Sequence, residues 1–246
     1  MKNNSGMNPP LHPSQEGIIQ PDIFGPGVKA VFTGRNAGAG TAEISALLGV
    51  AGSEIYMPIQ RHTGLVALYR PGMEPVESDA VISDVPGIFF GVKTADCVPV
   101  LVYDGKRAVG AVHAGWRGTA QSILANTIKA MEGAFGSGPK EMKIAIGPAI
   151  RTCHYEVGRD VLEAVSDGLI SGGIKYHEER GGRIYIDLPS VNKIQAMSMG
   201  VREENIYVSP ECTFCNQAFH SYRRDKERAG RQGAFIGLVK PAGEKK

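Results

Sequence analysis

Three residues of this 246-residue chain, His62, Cys97 and His113, carry the donor types that metal-assisted chemistry uses. One thiolate and two imidazoles can hold a divalent ion at three points and leave a fourth position for water or substrate; zinc so held lowers the pKa of its water towards neutrality. Asp96 could support a ligand from behind. Without a metal, Cys97 could act as a nucleophile with His113 as its base, the pairing of a cysteine hydrolase. Plainer readings stay open. Cys97 could be a small buried hydrophobe, His113 a strand-end histidine with a backbone partner, and His62 a solvated side chain in a turn.

Cations supply the second theme. Arg35 lies in a Gly-rich loop, Arg117 follows His113 in the run HAGWRG, and Arg223 and Arg224 sit together in SYRRD with Arg231 downstream. Adjacent arginines can grip phosphate bidentately, and Arg117 at a helix entrance would strengthen such an anion site; exposed surface charge is the alternative. A competing metal constellation also exists. His154-Tyr155-Glu156 matches H-x-E, and Pro210-Glu211-Cys212-Thr213-Phe214-Cys215 matches P-C-x-x-C but for the extra Glu211, so together they approach the zinc deaminase signature. Cys212 and Cys215 could instead be reduced thiols in a turn, or a redox pair.

The elements that must position these groups follow from local pattern. Val98 to Tyr103 and Ala108 to Val112 are short apolar, β-branched runs separated by Asp104-Gly105, which predicts a hairpin with Cys97 and His113 at one end. Further strands are expected over Val28–Thr33, Glu54–Gln60, Leu65–Tyr69, Ala80–Ser83, Gly87–Val92, Lys143–Ile146, Arg183–Leu188, Asn205–Val208 and Gln232–Val239. Thr119 is placed to cap a helix whose stripe is Leu124, Ile128, Met131 and Phe135. Helices are also expected over Ala42–Leu48, around Val161, Val165 and Leu169, and from Pro189 to Gly200. With no regular βαβ alternation, the pattern predicts a mixed-sheet α+β fold.

Composition narrows the function. A net charge of +2, with acids and bases interspersed and one Trp, gives no basic stripe, so no nucleic-acid partner is expected. Four unevenly spaced cysteines argue for reduced thiols with chemical roles; no apolar run reaches membrane-spanning length and no signal pattern opens the chain, so a cytoplasmic protein is expected. Residues 1–17 read as a flexible lead-in and 18–246 as one catalytic domain. Nothing in the pattern points to assembly, and a monomer is expected.

TADC, VHAGWRG, IGPAI followed by CHYEVG, CTFC, and SYRRD with a downstream GRQ occur in this order between Gln60 and Leu238. The chain thereby resembles the YfiH-type family, long labelled laccase-domain or polyphenol oxidase proteins. The resemblance implies a metal held by His62, Cys97 and His113. It implies stacked β-sheets flanked by helices, similar to the catalytic domain of the cytotoxic necrotising toxins. It also implies zinc-dependent phosphorolysis of adenosine, inosine and methylthioadenosine, with purine nucleoside and phosphate as substrates and adenosine deamination as a companion reaction. The acid that protonates the leaving purine stays open among Asp96, Glu156 and water.

Three departures from the family pattern stand out: a compact Gly34–Ile55 segment, Gln60-Arg61-His62-Thr63 where Q-V-H-G is usual, and Cys153-His154 where a double cysteine is usual. The oxidase label implies copper. A four-copper centre needs more imidazoles than six histidines supply, although one copper could occupy the His-His-Cys site in place of zinc.

Overall fold

The computed structural model describes residues 17–167, 169 and 173–240; apart from Gly17, the expected lead-in lies outside them. In chain order the elements are β1 (Val28–Phe32), α1 (Thr41–Leu48), β2 (Ile55–Tyr56), β3 (Val66–Leu68), β4 (Ala80–Ser83), β5 (Phe89–Thr94), β6 (Val98–Tyr103) and β7 (Val109–Ala114). There follow α2 (Trp116–Ala120), α3 (Ile123–Phe135), β8 (Lys143–Ile146), β9 (Glu156–Val157), α4 (Arg159–Ser166), β10 (His177–Arg180) and β11 (Arg183–Ile186). The chain continues through α5 (Leu188–Ser198), β12 (Ile206–Val208), α6 (Tyr222–Asp225) and β13 (Gln232–Leu238).

A six-stranded sheet, β12-β8-β6-β7-β4-β3, stacks on a four-stranded one, β1-β13-β5-β2; β9, β10 and β11 form a third, antiparallel sheet. The expected mixed α+β architecture is what the chain adopts: β2–β5, β3–β4 and β8–β12 are parallel pairs and the rest antiparallel. Alternation along the strands explains the layering. Val98, Val100 and Val102 of β6 pack with Ile123, Leu124, Ile128 and Val191 of α3 and α5. Leu101 turns the other way, with Val109 and Ala111 of β7, onto Phe90, Ala234 and Ile236 of the smaller sheet. That sheet's far face carries Val31, Phe89 and Phe235 against Ile44 and Leu48 of α1. Both faces of β6 and β7 are therefore covered, which is why their sequence is almost continuously apolar.

Several boundaries differ from expectation. The strand expected over Glu54–Gln60 shrinks to Ile55–Tyr56 and one bridge, Ile59 to Glu77, because Pro58 cannot donate to a ladder. The central hairpin turns through a longer loop than Asp104-Gly105 alone: buried Asp104 accepts the amides of Lys106, Arg107 and Ala108 at 2.8–2.9 Å on Oδ1 and the Ser137 hydroxyl at 2.9 Å on Oδ2. Thr119 is not a cap. It is buried inside α2, which starts after Gly115, and α3 starts after Ser122. α4 stops at Ser166, before Leu169. β11 ends at Ile186 because the next residue, Asp187, caps α5 by accepting the Ser190 amide at 2.9 Å. Among the described residues no helix is long and apolar enough to cross a membrane.

Candidate metal centre

Cys97 immediately precedes β6, and His113 is paired with Pro99 across the hairpin, so antiparallel register brings thiol and imidazole to one end. The third donor arrives on the loop after Ile59. His62 has a left-handed backbone, φ +61°, uncommon for a residue with a side chain. Gln60 anchors this loop by imitating a strand: its amide oxygen accepts the Lys93 N–H at 2.8 Å and its amide nitrogen donates to the Lys93 carbonyl at 2.9 Å. The imidazole rings of His62 and His113 stand nearly perpendicular with centroids 4.8 Å apart, and His62 Nε2 is 3.9 Å from Cys97 Sγ. One donor atom from each of the three residues lies within 4.8 Å of the others.

Asp79 is the residue the sequence did not announce. It directly precedes β4, whose pairing with β7 sets it opposite His113; its carbonyl accepts the His113 amide at 2.7 Å. Its Oδ1 lies 2.7 Å from His113 Nδ1, and its Oδ2 accepts the amides of Arg61 and Thr63 at 3.1 and 2.6 Å and the Thr63 hydroxyl at 2.9 Å. One buried carboxylate thus holds His113 through Nδ1, leaving Nε2 as its remaining donor atom, and grips the backbone on both sides of His62. Burial alone would raise its pKa, but the His113 imidazole and the Thr63 and Arg61 donors hold it well below the usual carboxylate range. Burial would likewise raise the Cys97 thiol, yet His113 and then His62 bring it down to about 6. Against its own burial, His113 is carried up to about 9, by Cys97 first and then Asp79.

Asp96, expected behind the ligands, faces elsewhere. Its Oδ1 accepts the Thr213 hydroxyl and its Oδ2 the Arg223 amide, both at 2.6 Å, at a φ of +85°. The support role belongs to Asp79 instead. Glu156, a candidate acid, directs its carboxylate to Arg183 at 3.2 Å.

The arginines divide. All five N–H groups of Arg224 are engaged, by the carbonyls of Thr213, Phe214 and Phe219 and by the Asp225 carboxylate. Arg35 donates to the carbonyls of Gln217 and Phe219 and pairs with Asp225 at 2.8 Å. Both brace the loop before α6 through protein oxygens. Arg223 donates twice to the Glu156 carbonyl, at 3.0 and 3.1 Å, with its guanidinium 5.4 Å from the Tyr155 ring centroid. Arg117 is exposed over its neighbour Trp116, within a five-residue helix too short to offer a helix-dipole site. Replacing Arg224 by lysine is expected to cost about 2–4 kcal/mol in denaturant unfolding, because three mobile donors cannot replace a five-donor planar fork.

A cavity of about 450 Å³ opens over the three donors, within the range of small-molecule sites. Besides Cys97, His62 and His113, it is lined by Gln60, Lys93, Thr94, Ala95, Tyr222 and Arg231. Its cations are thus Lys93 and Arg231. The buried Thr94 hydroxyl has no hydrogen-bond partner among the described residues. Gly115 closes the floor: a Cβ there would come within 3.0 Å of His62 Cδ2 and 3.1 Å of Cys97 Sγ. Gly115→Ala is therefore expected to weaken any metal binding at these donors about tenfold in competition with a chromophoric chelator, with little change in unfolding midpoint.

Stacked mixed sheets with a His/Cys cluster able to bind a metal at the mouth of the central hairpin define the class of protein. The chain belongs to the family described as multi-copper polyphenol oxidoreductase laccase, whose model matches residues 35–239. It is 38% identical over 176 residues to a purine nucleoside phosphorylase of Aquifex aeolicus, covering 71% of this chain and 79% of that protein. A protein named adenosine deaminase RL5, from an unknown prokaryotic organism, is 32% identical over 206 residues, 78% of each chain. Among solved structures, YlmD from Geobacillus stearothermophilus superposes with a TM-score of 0.82 at 26% identity, covering 89% of this chain and 94% of that one.

Proposed function

We propose that this chain is a zinc-dependent purine nucleoside phosphorylase acting on adenosine, inosine and methylthioadenosine, with adenosine deamination as a companion reaction. The observation that carries the reading is the convergence of His62, Cys97 and His113 at the floor of a cavity with its own cations. Relatives named for these two activities support it. The donor set fits zinc: one thiol with a pKa near 6 and two imidazoles, one of them held by a carboxylate. Bound there, the ion would supply Lewis acidity at an open coordination position.

The chain's own groups do the rest. Asp79 keeps the His113 proton on Nδ1, leaving Nε2 to bind the metal. Lys93 and Arg231 attract the phosphate dianion, and the half-exposed Tyr222 ring gives a purine a face on which to stack. Arg223 and Arg117, with Cys97, lie within electrostatic reach of Tyr155 and add positive charge near the thiol's surroundings.

The test is phosphate-dependent release of free base from a nucleoside panel by zinc-replete protein, with ammonia release from adenosine followed in parallel. Base released only when phosphate is present, and lost on chelation, is the expected result. Absence of turnover on the whole panel by protein with stoichiometric zinc would overturn it. The thiolate–imidazolium pair also favours a second reading, a cysteine hydrolase with Cys97 as nucleophile and His113 as base. Alkylation of Cys97 in saturating zinc would support that reading, and protection by zinc would remove it.

A further inference from the structure

Away from the first centre, the loop after β8 and the turn before α6 bring four more donors together. Cys153 Sγ lies 3.3 Å from both Cys212 Sγ and Cys215 Sγ, and Cys215 Sγ lies 3.2 Å from His154 Nδ1. One donor atom from each of the four residues falls within 4.8 Å of the others. Tetrahedral zinc with 2.3 Å bonds to sulfur and 2.0–2.1 Å bonds to nitrogen sets its ligands about 3.5–3.8 Å apart, so small side-chain adjustments suffice. None of the cysteines is in a disulfide.

We propose that Cys153, His154, Cys212 and Cys215 form a second, structural zinc site. Four protein donors close the coordination shell and leave no position for substrate, which separates this site from the three-donor centre. It also disposes of the deaminase-like reading of these residues. That signature needs an open position and a nearby acid, whereas Cys153 completes the shell and the Glu156 carboxylate is paired with Arg183.

The surroundings suit a bound ion. The His154 ring stacks on Phe214 at 3.9 Å and an 18° tilt, which fixes its orientation, and the Cys212-Thr213-Phe214-Cys215 spacing is that of a zinc knuckle. Backbone bonds already join the two segments, the Thr213 amide donating to the Ala149 carbonyl at 3.1 Å. An ion would lock that junction. Thr213 lies between the two knuckle cysteines and donates to Asp96, the residue before Cys97, so the clamp would also hold in place the backbone that presents the catalytic-site thiol.

The inference is independent of the proposed activity, and zinc content tests it directly. Full-length protein purified under reducing conditions with zinc is expected to carry about two ions per chain. The His62→Ala/Cys97→Ser variant is expected to keep one, and Cys212→Ser/Cys215→Ser to lose one. Because the latter could fail to fold, cobalt loading of the His62→Ala/Cys97→Ser protein gives a second measurement. It should show intense tetrahedral bands with sulfur-to-cobalt charge transfer, and His154→Cys in the same background should shift them towards those of a four-sulfur site. Zinc falling to zero in the His62→Ala/Cys97→Ser protein would overturn the proposal. So would a Cys153–Cys212 or Cys153–Cys215 disulfide in the zinc-loaded protein, seen as a mass deficit of two hydrogens, which would make the cluster a redox pair.

Discussion

Cys97→Ala is expected to fold, to bind one zinc ion fewer per chain than the parent, and to lose nucleoside phosphorolysis by on the order of 10³-fold or more, the scale of removing a group that stabilises charge at a reaction centre. The side chain lost is small and only half-buried, so unfolding should shift little, whereas the donor set falls from three to two. His62→Ala should behave alike. His113→Ala also leaves Asp79 buried without its principal partner, and a drop in stability should accompany the loss of metal. Metal analysis paired with base release distinguishes the cases: Cys97→Ala protein with undiminished zinc and turnover would mean that the thiol is neither ligand nor nucleophile.

The second large effect is expected at Asp79. Asp79→Asn keeps the shape and can still accept from His113 Nδ1. In place of one carboxylate oxygen, however, it offers an N–H₂ group either to His113 or to the Arg61 and Thr63 donors around His62. Zinc affinity should fall about 10–100-fold, the usual cost of losing a partner behind a metal ligand. Amide exchange at Thr63 should accelerate with it. A residue that served only the core would lower the unfolding midpoint and leave zinc competition unchanged, so the two measurements separate positioning from packing.

Why the sequence announced Cys97 and His113 but not Asp79 is a matter of contact range. The first pair is joined by a single hairpin, and VPVLVY with AVGAV carries the full pattern of strands covered on both faces. Asp79 meets His113 through the β4–β7 pairing, which skips over two strands, and nothing in Glu77-Ser78-Asp79 foretells that neighbour. The separation of the paired arginines of SYRRD was illegible for a related reason. Two adjacent cations look like one grip, but the chain sends them apart, Arg224 into a nest of carbonyls and Arg223 towards Tyr155. β10, with the sequence HEER, shows no apolar alternation because it lies at a half-exposed sheet edge, and it escaped notice. His154, Cys212 and Cys215 were legible as a set, whereas Cys153 was hidden behind the expectation of an open shell.

Of the three donors over the cavity, His113 is sealed in a sheet and Cys97 sits at a strand entrance, while His62 alone stands in solvent on a clipped loop. Exchange of the ion with the medium should therefore proceed through that one arm. The residence time of a bound ion would be governed by how often the Gln60 clip releases, so weakening the clip would hasten departure and lower affinity, because the loop would less often hold His62 in place.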